Sequence, residues 1–140
     1  MSKLRVMVLD DEPIVGQRLH SILSKMGCDT EVYDNPNEGF LRMHEVTFDV
    51  VVSDIVMDDL DGLKLLEYSR RRSCKTKIIL ITGYANAEVI RSAREKGAFD
   101  FLAKPFTPDQ LRAAVARAAA ALQIPLESSA EASAEGQEAP

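Results

Sequence analysis

Cysteine is scarce in this chain: Cys28 and Cys74 are the two in 140 residues, far apart, with no Cys-x-x-Cys and no matching histidine cluster. That spacing argues against both a disulfide framework and a zinc site, and the two are read as free thiols. No apolar run is long enough to span a bilayer, and Met1-Ser2-Lys3 leads straight into a strand without a signal-peptide core. The expected location is therefore the cytoplasm, with no membrane partner. Positive charge is not gathered into a stripe. The formal net charge is −5, and Glu127, Glu131, Glu135 and Glu138 stand in the last fifteen residues without a Lys or Arg; removing those four acids leaves −1. A body that close to neutral offers no electrostatic case for direct contact with nucleic acid. Nor does a glycine-rich phosphate loop follow the first strand, which weighs against a nucleotide-binding module.

What the chain does have is Phe48-Asp49-Val50-Val51-Val52-Ser53-Asp54, a β-branched apolar run that delivers a carboxylate at its end. Such a run reads as a strand buried on both faces of a parallel sheet. Open sheets of that kind bind ligands beyond the carboxyl ends of their strands, where an Asp is placed to act. Asp is also common wherever strands give way to turns, so Asp54 alone does not separate chemistry from structure.

The other strand ends supply the context. Leu4 to Leu9 is a second apolar run, followed at once by Asp10-Asp11-Glu12 and Pro13. Asp11 or Glu12 could cap the helix that follows, in which Ile14, Val15, Leu19, Ile22, Leu23 and Met26 recur at helical spacing up to Gly27. Thr30 to Tyr33 is short and β-prone. Asn35-Pro36 then opens a helix expected to carry Phe40, Leu41 and Met43 inward, with His44 at its surface. After Asp54 comes a polar loop through Asp61-Gly62, then a helix ending in Arg70-Arg71-Arg72, a basic run that complements the helix dipole. Lys77 to Ile81 is the fourth strand and ends in Thr82-Gly83; Asn86 and Lys96-Gly97 bound the helix after it. Asp100 to Ala103 is the fifth, ending in Lys104-Pro105, an X-Pro step that invites a fixed tight turn, cis included. Thr107-Pro108-Asp109-Gln110 is a capping box for a last helix carrying Leu111, Ala114, Val115, Ala118 and Leu122. Residues 1–125 are read as one domain and 126–140 as a disordered acidic Ala/Ser/Glu tail.

Five strand-helix pairs in alternation predict an α/β fold, a five-stranded parallel sheet with helices on both faces. In the flavodoxin-like order 2-1-3-4-5 the first and third strands are neighbours, which brings Asp10 and Asp11 beside Asp54. Three carboxylates in one pocket need a cation among them or a proton on one of them. Oxygen-only ligands with room for water describe Mg²⁺. Thr82 and Lys104 add a hydroxyl donor and a positive charge, suited to a phosphate bound there.

These features resemble, in order along the chain, a response-regulator receiver domain of bacterial two-component signalling. The likeness covers roughly Lys3 to Leu122. It rests on Asp10-Asp11, Asp54, Met57 with Asp61-Gly62, Thr82-Gly83 and Lys104-Pro105. The resemblance implies that Asp54 accepts a phosphoryl group from a sensor histidine kinase. It implies that Mg²⁺ is held by Asp11 directly, by Asp10 mainly through water, by Asp54 and by the main-chain carbonyl of Val56. Thr82 and Lys104 would contact the phosphoryl group, Gly62 and Pro105 would be structural, and Thr82 with Phe101 would form the switch. The output would be a downstream protein or a homodimer engaged through the fourth helix, fifth strand and fifth helix, with no separate substrate turned over. Val56 and Tyr84 occupy the positions that border the hydrolytic water, and neither is an obvious water-holder, so slow self-dephosphorylation is expected. Two departures stand out: Asp58 where the family often has proline, and Phe101 where tyrosine is commoner. The alternatives are a metal-dependent phosphatase with an aspartyl nucleophile, which usually shows Asp-x-Asp where this chain has Asp54 and Val56, and a pseudo-receiver that takes no phosphate.

Overall fold

The structure, a computed structural model, describes residues 3–54, 62–72, 75–83 and 87–126, with the side chains of 62–64 and 72 outside the description. Strands and helices alternate in the order β1 (Arg5–Leu9), α1 (Pro13–Lys25), β2 (Asp29–Tyr33), α2 (Pro36–Glu45), β3 (Val50–Asp54), α3 (Gly62–Arg72), β4 (Lys77–Thr82), α4 (Ala87–Glu95), β5 (Asp100–Ala103) and α5 (Pro108–Leu122). The five strands form one parallel sheet in the order β2-β1-β3-β4-β5. Every residue of β3 is buried, as its unbroken apolar run predicted for a central strand covered on both faces.

Alternation along each strand divides the core in two. Val6, Val8, Val50, Val52, Ile79 and Ile81 face α1 and α5, where Leu19, Leu23, Leu111 and Val115 meet them. Met7, Leu9, Val51, Ile78 and Leu80 face the other way, against Met43 of α2, Leu65 and Leu66 of α3, and Ala93 of α4. Ile124 and Leu126, past the end of α5, pack on the first of these clusters.

Local chemistry sets the helix ends. The Thr107 hydroxyl accepts from Gln110 N while the Gln110 side chain accepts from Thr107 N, the expected capping box, with Pro108 in the first turn. Asn35 caps α2 by accepting from Asn37 N at 2.8 Å. Glu12 stands at the cap of α1 without a side-chain cap bond; Asp10 Oδ1 accepts from Glu12 N at 2.9 Å instead. Gly27, just past α1, has φ 89°, a conformation that costs glycine little. Gly39 lets α2 lie directly on the sheet, since a Cβ there would overlap Leu9 Cδ2.

Two inward assignments are corrected. Ile14 is 74% exposed and Leu41 is 66% exposed. Ile14 lies in the first turn of α1, before the buried Gly16, Leu19 and Leu23, and Leu41 lies between the α2 residues Gly39 and Met43 that do reach the sheet. Among the described residues no helix is long and apolar enough to cross a membrane.

Candidate functional site

Strand register places the chemistry at one end of the sheet. Leu9 pairs with Ser53, Asp54 with Ile81, and Thr82 with Ala103, so the residues that finish or follow β1, β3, β4 and β5 emerge at one level. Asp10 and Asp11 follow β1, Asp54 ends β3, Thr82 ends β4 and Lys104 follows β5. The order β2-β1-β3 makes the two acid-bearing ends neighbours.

Carboxylate oxygens of Asp10, Asp11 and Asp54 all lie within 4.8 Å of one another. Asp10 is 1% exposed, Asp54 8%, and Asp11 is half-buried. Asp10 is anchored through its own N–H to Tyr33 O and through Oδ1 to Glu12 N, yet its buried Oδ2 has no hydrogen-bond partner. Burial pushes the Asp10 carboxyl above its usual range, and the charges of Asp54 and Glu12 push the same way against the Glu12 N–H and Lys104. A buried carboxyl with one orphaned oxygen, clustered with two further carboxylates, fits a small hard cation, which binds through oxygen and relieves both the burial and the repulsion.

Lys104 closes the site from the other side. Its Nζ donates to Asp54 Oδ2 at 2.9 Å and lies 3.5 Å from Glu12 Oε1. Burial disfavours the ammonium, but the Asp54 bond and the charges of Asp54, Asp10 and Glu12 outweigh it and hold the lysine above its usual value. It therefore stays a cation where a phosphate on Asp54 would need one. The Lys104 backbone is tied down as well, its N–H donating to Thr82 O at 2.8 Å. The Lys104-Pro105 bond is cis. Thr82, the last residue of β4, is 2% exposed.

Phe101 sits half-buried on β5, level with Leu80, and packs on the α2–α3–α4 side of the sheet. Thr82 follows Leu80 by two residues and so faces the same side. Gly62 is the first residue of α3, while Val56, Met57, Asp58, Asp61, Tyr84 and Asn86 lie outside the described residues. So do Cys74 and the 127–140 tail. Cys28 is a free thiol that burial pushes up to about 11.

Glu12 stands at the cap position expected of it, but its side chain lies by Lys104, a place in the site that the sequence signals only as a third carboxylate directly after Asp10-Asp11. Beside the acids, Glu12 and Lys104 also border an apolar recess of about 350 Å³ whose wall includes Val15, Leu19, Ile22 and Phe106.

Residues 6–116 match the family described as the response regulator receiver domain. The chain is 35% identical over 114 residues to the regulatory protein AtoC of Escherichia coli, covering 81% of this chain and 25% of AtoC. It is 35% identical over 113 residues to the DNA-binding transcriptional regulator NtrC of Salmonella typhimurium, covering 81% of this chain and 24% of NtrC. The chain thus spans about a quarter of the length of these curated relatives. Among solved structures, the beryllofluoride-activated NtrC4 receiver domain dimer superposes with a TM-score of 0.77 at 31% identity, covering 81% of this chain and 94% of that one.

Proposed function

The chain belongs to the response regulator receiver domain family, and from that premise we propose that it works in a phosphorelay with Asp54 as its phosphoryl acceptor. One observation carries the reading: three carboxylates within 4.8 Å of one another, with a lysine ammonium 2.9 Å from the one that ends the central strand. A carboxylate at a strand end, backed by a fixed cation, is a nucleophile with its product already neutralised.

The donor is a phosphohistidine of a sensor kinase. An Asp54 oxygen bonds to phosphorus as the phosphorus–nitrogen bond breaks, and the imidazole leaves with that electron pair. The product is an acyl phosphate. Lys104 keeps its ammonium against the phosphoryl oxygens, and Thr82 gives its hydroxyl to one of them. Asp10, Asp11 and Asp54 would hold Mg²⁺, with the Val56 carbonyl as a further ligand. When bound, that ion supplies charge neutralisation on the transferring group. The apolar recess that shares Glu12 and Lys104 with the site gives the donor protein a place to seat while its phosphohistidine reaches Asp54.

Phosphorylation is read out by Thr82 and Phe101, which face the same side of the sheet. The output surface we assign is α4, β5 and α5, engaged by a downstream protein or a second copy of the chain. The NtrC4 receiver, solved as a beryllofluoride-activated dimer, supports the second of these. On α5, Ala114, Ala118 and Ala119 are taken up by the core, while Ala113, Ala116 and Ala120 stay exposed and would let another helix approach closely. The expectation of no nucleic-acid partner narrows to this domain, because NtrC, matched over 24% of its length, is itself a DNA-binding regulator. The relatives are regulators by name, in keeping with a signalling acceptor that turns over no separate substrate. We place it in the cytoplasm, where its kinase would present the donor.

The test is intact mass after incubation with a small acyl phosphate and Mg²⁺. The protein should gain one phosphoryl group, and chelator should suppress the gain. No gain with magnesium present, while a known receiver gains under the same conditions, would remove the proposal.

A further inference from the structure

The aromatic of β5 is gripped from outside the acid site. Arg94, in the last turn of α4, sets its guanidinium carbon 4.9 Å from the centroid of the Phe101 ring. Among the described residues no carboxylate pairs with Arg94, and its side chain lies at the surface. A guanidinium over an aromatic face is attracted by the ring's quadrupole.

The direction of this grip matters. α4 leaves the carboxyl end of β4 and runs back along the sheet, so Ala87 lies toward Thr82 and Arg94 lies at the far end. Phe99, just past the helix, donates its N–H to Ile78 O near the start of β4. Phe101 lies between, level with Leu80, while Thr82 is two residues further along β4 on the same face. The backbone of Arg94 thus lies toward the opposite end of β4 from Thr82, with Phe101 between them.

We propose that Arg94 is a latch on the switch: its contact with Phe101 holds the ring away from Thr82 and so opposes the phosphorylated form. This rests on the reading of Thr82 and Phe101 as the switch pair. It makes Arg94 a positioning residue, since it touches neither the acids nor a phosphoryl group. Phe101 has no phenol hydroxyl to anchor its ring elsewhere, so the guanidinium contact can act as a restraint beside the packing of the ring on its core cluster. Releasing it favours the active form by about two- to five-fold, the factor for the roughly 0.5–1 kcal/mol of an exposed cation–π contact at 1.4 kcal/mol per tenfold.

The experiment measures beryllofluoride affinity with Mg²⁺ for wild type, Arg94→Met and Arg94→Lys, each with Phe101 and with Phe101→Leu. Arg94→Met keeps the stem and loses the charge, and should bind about two- to five-fold more tightly. Arg94→Lys retains a cation and should stay close to wild type. With Phe101→Leu in place, Arg94→Met should change nothing further. The same gain in both backgrounds, or none in either, overturns the latch. Should wild type take no beryllofluoride at all, the phosphate reading fails instead. In that event the resonance of a fluorinated phenylalanine at position 101, without any phosphate mimic, decides the latch: Arg94→Met must shift it, and an unchanged resonance overturns the latch on its own.

Discussion

Asp10 is held in place at two atoms and left unsatisfied at a third. Its backbone N–H and Oδ1 are both used, while buried Oδ2 has no donor. Without a cation this is a cost, because a buried carboxylate lies among two others. Asp10→Asn replaces the charge with a group that can donate to Asp11 or Asp54. In chelator the variant should be more stable than wild type by about 1–3 kcal/mol, measured by urea melts. With Mg²⁺ at a hundredfold excess over its Kd, wild type should gain about 2.7 kcal/mol and the variant far less. A wild type indifferent to Mg²⁺ would contradict the role given to these acids. On the proposed function, Val56 and Tyr84 would bear on a later step, loss of the phosphoryl group, for which a water must be held in line with the Asp54 carboxylate. Valine has no polar atom to hold it, and the bulk of a tyrosine is expected to cover its approach. Replacing them with Asn and Glu should speed loss of phosphoryl mass in excess chelator, by about tenfold for each ~1.4 kcal/mol regained. Unchanged decay would show that these positions do not set the rate.

At the level of elements, the acid pocket depends on how closely α2 lies against β1. Gly39 meets Leu9, and Leu9 immediately precedes Asp10. A methyl at position 39 must push Leu9 or lift the helix. Gly39→Ala should therefore cost about 1–3 kcal/mol of stability and weaken Mg²⁺ binding along with it. A variant that loses stability with Mg²⁺ affinity intact would show that the site does not feel this contact.

The same elements show what could be read without coordinates. The unbroken apolar run of β3 and the acids at strand ends were legible, because burial on both faces and a carboxylate at a boundary each leave a local mark. Ile14 and Leu41 were misread because helical spacing identifies a face but not how far along that face the sheet extends. The reach of Glu12 to Lys104 and the seat of Arg94 on Phe101 join distant segments, and no local pattern encodes such a meeting.

For the molecule as a whole, the fold is a device for bringing five strand-end residues from across the chain to one spot. Asp10 and Asp11 arrive with β1, Asp54 with β3, Thr82 with β4 and Lys104 after β5. Two helices on one side and three on the other bury the sheet between them, so packed side chains join the strands that carry the acids to both helix layers. On the proposed function, Asp54 carries the phosphoryl group. Borohydride trapping followed by peptide mass mapping tests it most directly, because hydride reduces an aspartyl phosphate to homoserine and marks the residue that bore it. After incubation with a small acyl phosphate and Mg²⁺, homoserine should appear at position 54 and nowhere else, and Asp54→Ala should show none. Homoserine at position 10 or 11, or an undiminished phosphoryl gain in Asp54→Ala, would show that Asp54 is not the acceptor.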